Sequence, residues 1–146
     1  MKKHFVPLVL VLVILAASLL GCDSSEGEEE SLVGSYTATQ VNGRPLPGHA
    51  YQVVFDDQAI DIEMREGTLI IRADMTFRLT NFFLSANGDF DNNEDGDYTV
   101  SGSTIRFFPS ERDSYSGTVR GDIIEVTYPD PFFGQGSDYT VLFEKQ

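Results

Sequence analysis

Ile60-Asp61-Ile62-Glu63-Met64-Arg65 alternates apolar and polar residues without a fault. That period of two marks a β-strand with one face buried and the other in water. The pattern repeats to either side. Upstream, Tyr51, Val53 and Phe55 alternate with Gln52 and Asp56, and a break follows at Asp57-Gln58. Downstream, Glu66-Gly67 reads as a turn, and residues 68–73 and 76–84 as a hairpin across Asp74-Met75. In its second arm Phe77, Leu79 and Phe83 face one way and Arg78, Thr80 and Phe82 the other. Residues 96–101 and 104–108 meet at Gly102-Ser103, and residues 115–120 and 123–128 at Gly121-Asp122. Both connections are short enough for tight antiparallel hairpins. Residues 33–41 make the first strand; after it Asn42-Gly43, Pro45 and Pro47 force a loop. Residues 138–145 make the last, with Tyr139, Val141 and Phe143 inward.

No stretch of this domain sustains a 3.6-residue period, so the fold class is all-β. About eight to ten strands in hairpin succession form an antiparallel up-and-down meander, and closure into a barrel removes the sticky edges of so long a sheet. An eight-stranded barrel is just wide enough for packed side chains or one small ligand. Ten rings have phases compatible with the interior: Tyr36, Tyr51, Phe55, Phe77, Tyr98, Phe107, Tyr115, Tyr128, Tyr139 and Phe143. That bulk favours a filled barrel. Adjacent aromatics within a strand point to opposite faces, so the pairs Phe82-Phe83 and Phe107-Phe108 put some rings on the outside.

Ahead of the domain, Lys2 and Lys3 precede an apolar run over residues 5–20 that ends in Leu19-Leu20-Gly21-Cys22. The run is shorter than the roughly 20 residues needed to span a bilayer, and it has the order of a secretory leader: basic, apolar, then small residues. Leu19-Leu20-Gly21-Cys22 resembles the bacterial lipobox. The resemblance implies cleavage before Cys22, diacylglycerol on its sulfur and attachment to the membrane through acyl chains. The expected organisation is a signal peptide over 1–21, an acidic tether over 22–31 and a barrel domain over 32–146. The tether, Asp-Ser-Ser-Glu-Gly-Glu-Glu-Glu-Ser after the cysteine, has nothing apolar to bury. It reads as a spacer, or, by its resemblance to the acidic signal of Bacteroidota lipoproteins, as an export signal to the cell surface. The expected location is the cell envelope, with the outer membrane, on its periplasmic or surface face, favoured over the inner one.

Ten basic side chains stand against 23 acidic ones, a net charge of −13. Such a chain lacks the basic footprint that nucleic acid requires. Beyond the leader only Lys145 is a lysine; the other cations are seven arginines. High acid with little lysine resembles proteins of salt-accumulating halophiles, in which salt screens carboxylate repulsion. Cys22 is the only cysteine, so the domain has no disulfide, thiol nucleophile or cysteine-held metal. His49 stands alone in the domain as a loop histidine without a nucleophile motif, and the expected activity is not enzymatic.

Two stretches are candidate sites. Asp91, Asn93, Asp95 and Asp97 lie in the acidic segment 87–97, where Asp-x-Asn-x-Asp-Gly matches the first half of a calcium loop. Gly102 stands where that loop needs its bidentate glutamate. The segment reads either as a calcium site, calcium being the one cofactor in question, or as a solvated hairpin loop. Phe132 and Phe133, between Pro131 and Gly134, read either as contacts at the barrel mouth or as a plug of the barrel end.

Leu32-Val33-Gly34-Ser35-Tyr36, the segment 41–47, Gly67-Thr68-Leu69 with Asp74-Met75-Thr76-Phe77, and the closing Tyr139-Thr140-Val141-Leu142-Phe143 together resemble the lipocalin-like lipoprotein domains of bacteria. Tyr36 stands where lipocalins carry a tryptophan, and the chain has none. The resemblance implies a barrel with residues 43–50 in the first loop at its mouth. Two functions follow as expectations. In the first, a membrane-anchored lipoprotein binds a small apolar or amphipathic ligand in its barrel. In the second, a solid barrel engages an envelope protein through its loops.

Overall fold

The computed structural model describes residues 31–129 and 137–146. Cys22, most of the tether, Phe132 and Phe133 lie outside them. Ten strands follow one another: β1 Gly34–Val41, β2 Arg44–Pro45, β3 Gly48–Phe55, β4 Gln58–Ile71, β5 Thr76–Ser85, β6 Gly88–Ser101, β7 Thr104–Pro109, β8 Tyr115–Arg120, β9 Ile123–Tyr128 and β10 Tyr139–Lys145. Successive strands from β3 to β10 pair antiparallel, β10 returns to β1, and β1 pairs β4 from Gly34↔Ile71 to Thr37↔Thr68. That last pairing closes β1 and β4 to β10 into an eight-stranded barrel. The expected all-β up-and-down barrel is thus what the chain forms, with β2 and β3 as additional strands.

Alternation builds the interior as expected. Tyr36, Phe77, Leu79, Ile105, Phe107, Ile124, Val126, Val141 and Phe143 are all buried in one cluster. Phe77 and Phe107 meet edge to face at 4.9 Å between ring centres. Each such ring contributes about 2–3 kcal/mol by leaving water. Phe83 and Phe107 point inward and Phe108 outward, where the Arg106 guanidinium lies 5.2 Å from its ring centre. Nine of the ten rings expected inside are buried; Phe55, 67% exposed at the tip of the β3–β4 hairpin, is not.

Three expectations are corrected. Glu66-Gly67 is no turn: β4 runs straight through it, with a bulge between Met64↔Phe83 and Glu66↔Phe82. The bulge leaves Arg65 and Glu66 both exposed and shifts the phase by one, so that Met64 and Gly67 both face the core. Segment 87–97 is no loop either. Only Ala86 and Asn87 turn the chain, and β6 begins at Gly88, paired with β5 without a break from Gly88 to Asp97. Sheet pairing overrides the low strand propensity of Asp and Asn when their side chains face water. His49, finally, lies in β3 and not in a loop.

The connections sort to two ends. At the mouth lie Asn42–Gly43, Asp56–Asp57, Ala86–Asn87, residues 110–114, the end of β9 and the start of β10. At the base lie residues 72–75, Gly102–Ser103 and Gly121–Asp122, together with both ends of the domain. There the Tyr36 hydroxyl donates to the Leu32 carbonyl at 2.7 Å, and Lys145 Nζ meets the Ser31 carbonyl. Among the described residues every strand and the whole core lie within 31–146, so this stretch carries the closed barrel by itself.

Candidate functional site

Near the mouth the inward positions of seven strands carry aromatic rings, each touching the next. Phe107 on β7 lies 5.3 Å from Tyr115 on β8, Tyr115 5.0 Å from Tyr128 on β9, and Tyr128 5.0 Å from Tyr139 on β10. Tyr139 continues at 5.2 Å to Tyr51 on β3, Tyr51 at 5.9 Å to Phe83 on β5, and Phe83 at 5.3 Å to Phe90 on β6. The rings form a collar around the inside of the barrel, open between β6 and β7.

A polar latch fills that opening. Glu94, on the inward face of β6 and 8% exposed, accepts the Tyr115 hydroxyl at 2.7 Å, Asn92 Nδ2 at 2.8 Å and Arg112 Nη1 at 2.9 Å. Arg112, from the β7–β8 connection, also donates to the Pro129 carbonyl at 3.2 Å, and its guanidinium lies 5.6 Å from the Tyr115 ring centre. One arginine therefore ties together β6, the β7–β8 connection and the end of β9. A buried carboxylate is tolerable only with such partners, since desolvating it alone costs several kcal/mol.

Beneath the collar Asn81 on β5 is wholly buried, and neither Nδ2 nor Oδ1 has a hydrogen-bond partner. Gly67 faces it across β4: a Cβ there would stand 2.7 Å from Asn81 Oδ1 and 2.6 Å from Met64 Cε. The missing side chain makes the room that Asn81 uses. Burial pushes the hydroxyls of Tyr115, Tyr128 and Tyr139 well above the usual tyrosine range, and neighbouring tyrosines add to the effect. The Asn81 amide is close enough to offset part of that push on Tyr128 and Tyr139, without reaching ordinary hydrogen-bond geometry with either.

A half-open cavity of about 180 Å³ sits in the collar between Tyr51, Phe83, Phe90 and Tyr139, with Asn92 and Arg112 on its polar side. A broader groove of about 450 Å³ lies on the other side of Asn92 and Arg112, between β6 and residues 109–112. The arrangement can stack a flat or alkylated group and hold a polar end. Among the described residues no three metal-ligating side chains come together.

The calcium reading of Asp91, Asn93, Asp95 and Asp97 meets a plain obstacle. They occupy alternate positions of β6 on its exposed face, so successive side chains stand about 6.8 Å apart and parallel, whereas calcium needs oxygens converging at about 2.4 Å. Asp95 is instead held by Arg78 across the β5–β6 pair, Nε to Oδ1 at 2.9 Å, a bond that lowers its pKa. His49 Nε2 lies 3.3 Å from Asp61 Oδ1 on the outer face of β3–β4. The collar tyrosines are residues expected to fill the barrel; the Glu94–Arg112 latch was not anticipated. Its signal was a carboxylate at an inward phase of β6, readable only once β6 is recognised as a strand. Comparison with protein-family models, with curated proteins and with solved structures finds no match for this chain.

Proposed function

We propose that this chain is a lipid-anchored protein of the bacterial cell envelope, held through Cys22, whose barrel binds a small apolar or amphipathic molecule at its mouth. The cavity in the collar carries the reading: four aromatic walls with a few convergent polar groups are the ordinary make-up of a small-molecule site. Its volume lies below the roughly 300 Å³ of a site that engulfs a drug-sized ligand. The collar therefore takes a compact molecule or the head of a longer one. Placement fits an anchored binder, because the domain enters at its base through Ser31 and Leu32 and the mouth opens at the opposite end. The lipobox supports the anchor and the acidic tether supports outer-membrane export.

Native mass spectrometry of the domain 31–146, purified without detergent from a high-salt preparation, tests this. The expected result is an added mass that denaturation releases. A bare mass that stays unchanged after incubation with fatty acids, sterols and alkylammonium amphiphiles would sink the proposal.

The second reading, a protein-binding module, is favoured by the tip of the β3–β4 hairpin, where Val54 and Phe55 are 50% and 67% exposed. Asn42 covers the outer edge of β3 at the carbonyls of His49 and Ala50, and beyond Ala50 β3 pairs, among the described residues, only with β4. An uncovered strand edge with apolar side chains is a template for an extended partner segment. A photo-crosslinker at Phe55 in intact cells gives one discrete adduct under this reading, and none if it is wrong.

A further inference from the structure

We propose that β6 accepts an added strand at residues 89–93: an extended segment of a partner protein, basic residues alternating with apolar ones, paired antiparallel. From Gly96 to Ser101 β6 pairs with β7, and Ser110 N still reaches the Asp95 carbonyl at 3.0 Å. Beyond that point residues 111–114 leave for β8, while β6 runs on toward its start at Gly88, paired among the described residues with β5 alone. The row that β7 vacates is the groove of about 450 Å³ between β6 and residues 109–112. The Asp95 carbonyl points into that row. Backbone groups alternate in direction along a strand, so the N–H and C=O of Asn93, Asp91 and Asp89 point into it too. Five residues there would cover about 17 Å of β6 and continue the antiparallel ladder in the direction β7 already runs. Such pairing is the usual way a sheet edge captures an extended peptide.

The side chains decide the partner's chemistry. Asp89, Asp91 and Asn93 lie on the exposed face of β6, opposite Leu84, Phe82 and Thr80 of β5, which bring them no cation. Asp89 and Asp91, like Glu111 and Asp113 beyond the groove, form no ion pair among the described residues. The nearby arginines are taken, Arg78 by Asp95 and Arg112 by Glu94, each at 2.9 Å. Residues directly opposite one another on paired strands share a face. Basic residues at alternate positions of the added strand therefore meet carboxylates spaced about 6.8 Å apart. The positions between them turn inward beside Phe90 and Asn92, both half-buried, where apolar residues extend the covered surface. A second copy of β6 in the same place would set carboxylate against carboxylate, which destabilises a sheet. The charge thus bars self-pairing and selects a cationic partner. The groove lies on the far side of Asn92 and Arg112 from the collar cavity, so this site stands or falls apart from the mouth site.

The probe is a five-residue peptide of alternating lysine and valine with lysine at both ends, acetylated and amidated, added to isotope-labelled domain 31–146. Amide shifts and amide exchange locate the binding. The expected result is slowed exchange at Asp89, Asp91 and Asn93 with the base turns at Gly102 and Gly121 unchanged. N-methylation of the central lysine removes a donor that faces β6 and weakens binding about tenfold, whereas N-methylation of the valines, whose N–H groups face away, leaves it within about twofold. The double variant Asp89→Asn, Asp91→Asn keeps the melting temperature and also loses about tenfold, and a peptide with glutamate in place of lysine does not bind. Failure of the lysine peptide to bind, or binding that leaves exchange at Asp89, Asp91 and Asn93 unaltered, overturns the added strand. Equal losses from methylating lysine or valine do so as well, since diffuse attraction to an acidic surface ignores backbone direction. Binding of the glutamate peptide as tightly as the lysine one overturns the cationic assignment.

Discussion

Tyr115 and Glu94 share a buried hydrogen bond of 2.7 Å, the phenol donating to carboxylate Oε2 while Arg112 holds Oε1. The carboxylate is therefore satisfied from two sides by groups of different elements. Arg112→Leu removes its counter-charge and leaves Glu94 buried and unpaired, which costs about 3 kcal/mol. Glu94→Gln in the same background removes the charge and recovers most of the loss, because a neutral amide still accepts from Tyr115. Urea denaturation of the two single variants and the double variant gives the coupling; strict additivity would show that the latch does not act as a pair.

The tyrosines of the collar set an alkaline limit. Tyr115, Tyr128 and Tyr139 have their pKa values raised in the fold, chiefly by burial. The unfolded chain releases these protons near pH 10 and the native one does not. The stability they support is thus complete below pH 10 and falls above it, by about 1.4 kcal/mol per pH unit for each tyrosine. With three acting together, the barrel should unfold cooperatively above pH 10. Absorbance at 295 nm should then show these phenols ionising with the loss of near-ultraviolet dichroism. Smooth titration of all six tyrosines in a domain that stays folded would contradict this.

Asn81 gives a prediction of opposite sign. Its amide is buried without hydrogen-bond partners, a state that costs about 1–3 kcal/mol against an apolar group of the same shape. Asn81→Leu is close to isosteric and should raise stability by about 1 kcal/mol or more in chemical denaturation. A loss of that size would mean that the amide is satisfied in solution.

How far the fold could be read from the sequence depended on which face carried the signal. Gly102 and Gly121 sit in two-residue turns at φ of 58° and 57°, and the apolar alternation beside them identified β6 to β9 hairpins at once. The bulge at Arg65 imitated a turn, because one extra residue reverses the alternation just as a chain reversal would. The outer face of β6 imitated a metal loop, because Asp and Asn mark turns and calcium sites as readily as solvated strand positions. The latch stayed hidden for a further reason. Arg112 reaches Glu94 from the β7–β8 connection, and the alternation pattern of β6 does not record that meeting.

At Gly96 β7 leaves no room for a side chain on β6, and there the prediction is a loss. A Cβ built on it would lie 2.2 Å from the Phe108 carbonyl oxygen and 2.8 Å from Pro109 Cα. These are backbone atoms of the partner strand, fixed by the pairing Gly96↔Pro109 and unable to rotate away as a side chain would. Relief requires β7 to slide or separate at its mouth end. The segment that carries Arg112 to Glu94 begins directly after that end, so the latch should loosen with it. Gly96→Ala is therefore expected to cost about 3 kcal/mol, the upper part of the range for overpacking. It should also speed amide exchange at Phe108 and in residues 110–114 well beyond that at the base turns. Gly67→Ala provides the contrast. Its nearest obstacles are the Met64 and Asn81 side chains, and trimming one of them in Asn81→Ala should recover stability lost at Gly67, whereas no single side-chain truncation should rescue Gly96→Ala. If Gly96→Ala proves as mild as a surface substitution, the close approach of β6 and β7 is not as drawn, and the placement of Arg112 against Glu94 falls with it.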